Sequence, residues 1–185
     1  MQDLAKEMGQ GYKVAFTNFE KRDVFSPVKN NLKTGADNPK KGNYPDAMPT
    51  GEADLYKYYR KLLRLSGTSI NIEGRERTSQ GVPYQDGAKI LLSRSFAGTA
   101  KEVLNKVKGG SISDRSTLIV EGKDINIENL ILDGALVIRT GPSVKLTICN
   151  ITVQNSGWEF MSLTEEEMND PDVPTYLKIR GYKLI

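Results

Sequence analysis

The chain has 185 residues, 38% of them apolar, and carries 26 Lys and Arg against 23 Asp and Glu, a net charge of +3. That length fits one ordinary domain or two small ones, and so slight a positive balance gives no ground for a nucleic-acid partner or an anionic membrane. There is no histidine and one cysteine, which excludes histidine-based triads, histidine or cysteine zinc sites and a disulfide framework. Any chemistry must run on Lys, Arg, carboxylates, backbone amides and a metal held by oxygen. No run approaches the roughly 18 apolar residues of a spanning helix, and the polar start Met1–Lys6 lacks a signal-peptide pattern, so a cytoplasmic location is expected.

In chain order, Tyr12–Thr17 alternate as a strand does, and a long irregular stretch rich in Pro, Gly and Asn follows up to Thr50. A loop of that length in a compact chain is functional or disordered. The next pattern predicts a helix capped at Thr50 and stopped at Gly67, with Leu55, Tyr58 or Tyr59, Leu62 and Leu63 as its buried stripe. Residues 68–95 carry no clear period except a strand-like run at Ala88–Leu92. A second helix is marked by the capping box Thr99-Ala100-Lys101-Glu102 and ended by Gly109-Gly110. From Ser111 to about Phe160 short alternating strands nearly repeat: Leu118–Val120 recurs as Leu136–Ile138, and Ile125–Ile127 as Val144–Leu146. A repeat of 18 to 19 residues suits a coil of stacked strands, a parallel β-helix, with paired hairpins in a small sandwich as the rival. Asp133-Gly134 and Gly157 read as corners, Trp158 as packing on the last coil with a peripheral binding role as the alternative, Arg115 as a solvated or ion-paired group, and Cys149 as a packing residue. Thr164–Glu167 is a third capping box, and Tyr176–Tyr182 reads as a closing strand pair or coil.

The stretch that points to chemistry is Phe25-Ser26-Pro27-Val28-Lys29-Asn30-Asn31, then Pro39–Asn43, then Thr50-Gly51-Glu52. A lysine fixed near a proline, Asn amides beside it and Gly-rich backbone across from it supply the charge and donors that hold phosphate oxygens. A helix start at Thr50-Gly51 adds amides and a positive dipole end. The plain alternative is a solvated basic loop, with Asn30 and Asn43 serving turns and Glu52 merely suiting a helix N-terminus.

Phe25–Asn31 resembles a motif of the UDP-sugar pyrophosphorylases, and its core is similar to that of UDP-N-acetylhexosamine and UDP-glucose pyrophosphorylases. Lys41-Gly42-Asn43, Thr50-Gly51-Glu52, Ser111–Leu118, Leu132–Ile138, Asn155–Glu159 and Ile179–Tyr182 continue the resemblance in order. It implies an α/β fold: the C-terminal part of a nucleotidyltransferase catalytic domain over residues 1–108, then a left-handed parallel β-helix over 109–185. The implied reaction joins UTP and a sugar 1-phosphate into a UDP-sugar and pyrophosphate, with magnesium, by in-line attack on the α-phosphate. Carried over residue by residue, Lys29 is the catalytic contact to phosphate. Asn30, Gly42, Asn43, Thr50 and Gly51 shape the substrate side, and no metal ligand is assigned to this chain.

The sequence departs from the family in two places. No Gly-rich loop followed by a basic residue is present to hold the nucleotide, since Gly9-Gln10-Gly11 is too short and precedes a strand. Residues 72–95 are polar where the family has a tryptophan-containing apolar segment. The chain alone is therefore expected to be inactive, with the missing part of the catalytic domain as partner and exposed apolar area at 12–17 and 88–92. The alternatives are a catalytically inactive β-helix-bearing subunit or interaction module, or a fragment of one of the two related pyrophosphorylases.

Overall fold

The computed structural model describes Lys13, Ala15 and residues 17–185, so most of the strand expected at 12–17 lies outside the described residues. Two short helices, α1 (Lys21–Val24) and α2 (Leu32–Asp37), and a 3-10 turn at Pro39–Lys41 lead to the long helix α3 (Met48–Leu65). Asn31 starts α2 by accepting from the Thr34 amide at 2.8 Å, as a capping side chain does.

Helix α3 begins two residues before the expected cap. Pro49 fits the first turn because it has no amide to leave unpaired. Thr50, already helical, turns its hydroxyl back to accept from the Ala47 amide at 3.1 Å and donate to the Ala47 carbonyl at 2.8 Å. The buried stripe also differs from the predicted one. Ala53, Arg60, Leu62 and Leu63 are buried and Tyr59 packs on the core, whereas Leu55 and Tyr58 are exposed. Arg60 is wholly enclosed, with Nε donating to the Ile72 carbonyl and Nη1 to the Ala88 carbonyl, both at 2.9 Å. It thereby satisfies the turns before and after the next hairpin, and Gly87 leaves room for it: a Cβ there would lie 3.2 Å from Cζ.

The strands that follow are β1 (Ser69–Ile70), β2 (Arg75–Ser79), β3 (Val82–Asp86), β4 (Lys89–Leu92), β5 (Val107–Lys108), β6 (Ser111–Ile112), β7 (Thr117–Glu121) and β8 (Asp124–Glu128). They continue with β9 (Ile131–Asp133), β10 (Ala135–Arg139), β11 (Lys145–Cys149) and β12 (Thr152–Gln154), and helix α4 (Ala100–Lys106) lies between β4 and β5. Strands β2 and β3 form an antiparallel hairpin through Gln80 and Gly81, at φ of 49° and 77°. Two positive values in a row suit the right-handed twist of a hairpin. Nothing in the Gln-Gly pair announced it.

From β4 onward the chain visits three parallel sheets in rotation. The orders are β4-β7-β10, β5-β8-β11 and β1-β6-β9-β12. Each circuit sets one apolar residue above its predecessor: Ile90, Leu118 and Leu136 on the first face, Val107, Ile127 and Ile148 on the second, Ile112, Leu132 and Val153 on the third. Six of the nine belong to one buried hydrophobic cluster and Leu136, Ile148 and Val153, partly buried, pack against it, forming the continuous core that stacked circuits bury only against each other. The parallel pairing excludes the hairpin sandwich.

The repeat Leu118–Val120 to Leu136–Ile138 is paired as predicted. The second face slips, because Leu146 stands opposite Ile125 and Ile148 opposite Ile127, two residues beyond the expected match. The turn from Thr140 to Val144 is longer than the Gly122-Lys123 turn of the previous circuit and takes up the difference. With Leu146 and Ile148 turned inward, Cys149 points outward and is exposed, contrary to its reading as a packing residue.

The stack takes in residues on both sides of position 108, and Ala88, Ile90 and Leu92 are buried instead of exposed. After it come β13 (Phe160–Ser162), α5 (Glu165–Asn169), α6 (Thr175–Arg180) and β14 (Tyr182–Leu184), with β13 and β14 antiparallel. Of the stretch Tyr176–Tyr182, expected as a closing strand pair or coil, residues up to Arg180 are a helix that follows Pro174 and is closed by Gly181 at φ 83°, while Tyr182 opens β14 of the strand pair. Trp158 is an exposed residue and not part of the core cluster.

Candidate functional site

The loop that carries Lys29 is organised by Asp46, just before α3. Asp46 adopts φ 49°, a conformation that Asp tolerates better than most residues. Its carbonyl accepts from the amides of both Lys29 and Asn30 at 3.0 Å. Its buried carboxylate takes Lys29 Nζ at 3.1 Å on one oxygen and Arg22 Nη1 at 2.9 Å on the other. Burial acts to raise this carboxyl, but hydrogen bonds and charge from Lys29 and Arg22 outweigh it and hold the group below the usual carboxylate range. Asn30 adds a hydrogen bond from Nδ2 to the Pro45 carbonyl at 2.8 Å. The Lys29 side chain remains 65% exposed, so an anchored cation faces solvent beside a helix entrance.

Arg22 is wedged between Asp46 and the ring of Tyr44, whose centroid lies 3.5 Å from Cζ. Tyr44 donates to Asp54 Oδ1 at 3.0 Å, and burial, followed by the charge of Asp54, pushes its hydroxyl well above the ordinary value. Neither Arg22 nor Asp46 was singled out in the sequence. A carboxylate next to Ala47-Met48-Pro49 was a signal that could have been read, whereas nothing local marks Arg22.

Of the residues that sequence reasoning grouped with Lys29, the structure brings two against its loop. Asn30 is its neighbour on Asp46, and Gly51 lies directly under Val28: a Cβ at Gly51 would stand 2.4 Å from Val28 Cγ2. Glycine here is a matter of close approach. Gly51 donates its amide within the helix to the Ala47 carbonyl at 3.0 Å, and Thr50 is buried with its hydroxyl engaged. Gly42 and Asn43 close the 3-10 turn, their amides donating to Pro39 and Asn38 at 3.0 Å. The described contacts do not link them to Lys29.

Glu52, read as a charge suited to a helix N-terminus, is the hub of a second cluster. It accepts from Arg180 Nη2 at 3.0 Å, from Tyr56 at 3.2 Å and from the Tyr182 hydroxyl. Arg180 Cζ also lies 4.4 Å from the Tyr182 ring centroid. Burial, then the Glu52 charge, raises the Tyr182 hydroxyl far above its usual value. This cluster fastens the C-terminal helix and strand to α3 on the turn after Gly51.

The class of site these contacts define is a loop at the entrance of a helix that carries an exposed lysine ion-paired to a buried aspartate. Comparison with known proteins gives the chain relatives. The chain is similar to UDP-sugar pyrophosphorylases, with 27% identity over 184 residues to that of Arabidopsis thaliana and 29% to those of Oryza sativa subsp. indica and subsp. japonica. The match takes in 99% of the chain, which spans 29% of the length of these curated relatives. No family model matches the chain.

Proposed function

We propose that the chain is the C-terminal portion of a nucleotidyltransferase that forms UDP-sugars and pyrophosphate from UTP and sugar 1-phosphates. The observation that carries this reading is the similarity to UDP-sugar pyrophosphorylases along 99% of the chain. In it the sugar 1-phosphate oxygen attacks the α-phosphate, the bond to the leaving pyrophosphate breaks, and no covalent enzyme intermediate forms. Phosphoryl transfer of this kind depends mainly on positioning and on cations that meet developing charge. Lys29 supplies such a cation, turning from Asp46 toward the phosphate, while Asn30, Gly42 and Asn43 shape the sugar side and the Thr50-Gly51 turn supports the Lys29 loop. The three-sheet stack is proposed to be a left-handed parallel β-helix.

The nucleotide-binding loop is assigned to the rest of the catalytic domain. Phe19, Val24, Phe25, Leu55 and Leu65 are exposed on α1, α3 and the segments beside α1, and they provide the apolar face on which that part would pack. Magnesium belongs to the proposal, with its ligands assigned to the rest of the catalytic domain. A second reading, a subunit that binds a sugar phosphate without turnover, draws on the neutralisation of Lys29 by Asp46.

Calorimetric titration of the chain with glucose 1-phosphate and with UDP-glucose, with and without magnesium, tests the half-site. Binding that disappears in Lys29→Ala is the expected result, and no binding to either ligand removes the Lys29 loop from the site. In a longer enzyme that contains the chain, Lys29→Ala is expected to lower turnover by about two orders of magnitude. A fall of less than about threefold there removes Lys29 from the chemistry.

A further inference from the structure

A cleft of about 490 Å³ lies between the β2–β3 hairpin and the turns before β7 and β13, and neither Lys29 nor Asp46 lines it. Its size is in the range that holds a small organic ligand. Tyr84, Trp158 and Phe160 provide aromatic walls, and Trp158 is the chain's single tryptophan.

The charges around it decide what it can hold. Arg115 is fully engaged, with Nε on Asp133 at 2.6 Å, Nη1 on the Ser156 carbonyl at 2.9 Å and Nη2 on the Asn155 carbonyl at 2.9 Å, so it builds the wall. Arg77 and Lys89 share Asp86, at 2.9 and 2.6 Å. Among the described contacts the side chains of Arg75 and Glu159 have no partner, and both line the cleft, as does Asp114.

An anionic ligand would meet Glu159 and Asp114, and a cationic one would meet Arg75. A neutral polyhydroxyl ligand can accept from the guanidinium and donate to the carboxylates at once, while its C–H face lies on the indole. We propose that this cleft binds a neutral carbohydrate, stacked on Trp158 and hydrogen-bonded by Arg75 and Glu159.

The lone tryptophan makes the test direct. Tryptophan fluorescence of the 185-residue protein is followed during titration with glucose, galactose, maltose and lactose, and with glucose 1-phosphate for comparison. A saturable change with a neutral sugar is expected at a Kd of about 1 mM or tighter. Arg75→Ala and Glu159→Gln, both at exposed positions, are each expected to weaken it about tenfold. Lys29→Ala is expected to leave it unchanged, which separates this cleft from the proposed phosphate site. The proposal is overturned if none of the neutral sugars gives a saturable change, if either cleft variant binds as the parent does, if Lys29→Ala abolishes binding of the neutral sugar, or if in Lys29→Ala glucose 1-phosphate changes the tryptophan signal at lower concentration than glucose does.

Discussion

Glu52 on α3 and Arg180 at the end of α6 stand 128 positions apart in the chain and meet in an ion pair of 2.9 Å, with only 15% and 19% of their side chains exposed. A pair this enclosed leaves an uncompensated charge when one member is removed. Arg180→Ala is expected to destabilise the protein by about 3 kcal/mol and Tyr182→Phe by about 1 kcal/mol, read from urea unfolding midpoints. Equal midpoints for Arg180→Ala and the parent would show that the C-terminal helix is not fastened through Glu52.

Asp133 sets an acid limit. Hydrogen bonds from Arg115 and then Ser113 lower its carboxyl from 3.8 to about 2. A carboxyl depressed in the folded state contributes stability that is present above its unfolded pKa and is lost as pH falls through the folded one. Stability is therefore expected to drop between about pH 4 and pH 2, and Asp133→Asn is expected to flatten that part of the curve. Parallel curves for the two proteins would assign the acid limit to other groups.

Gly51 and Val28 couple the helix to the Lys29 loop. Gly51→Ala should favour the helix by up to about 1 kcal/mol, yet its methyl meets Val28 and pushes the loop away. We expect near-parental stability with glucose 1-phosphate binding weakened about tenfold, a loss of about 1.4 kcal/mol. Adding Val28→Ala should restore binding, which calorimetry on the double variant would show.

Gly134 turns the corner into β10 at φ 135°, with Asn155 Oδ1 only 2.2 Å from where a Cβ would sit. Asn155 itself accepts from the Ala135 amide at 2.7 Å and donates to the Ala135 carbonyl at 2.9 Å. Gly134→Ala combines backbone strain with loss of that bridge, and thermal unfolding should report a cost of about 2 kcal/mol or more.

Much of the architecture was legible because it is written locally. The capping boxes at Thr99 and Thr164 pair both ways with Glu102 and Glu167, and the step from Leu118 to Leu136 is the true register of the first face. The second face was misread because a turn can lengthen without changing which residues face inward. Helix α3 shows the same limit, for Arg60 looks like a surface residue until the carbonyls of Ile72 and Ala88 are found around it. In the candidate site, the lysine and its neighbour Asn30 were visible, but Arg22, Asp46 and the tie of Glu52 to Arg180 depend on contacts that no local pattern records.

The corners of the stack differ in what they hold. Between β4 and β5 stands helix α4, where the next circuit has only Gly122 and Lys123 and the third a turn from Thr140 to Val144. The three inward rows nevertheless stay aligned across all of these. Length added at this edge of the prism leaves the core undisturbed, so it is the position at which the architecture can accept a new loop, a helix or a grafted peptide without learning a new fold.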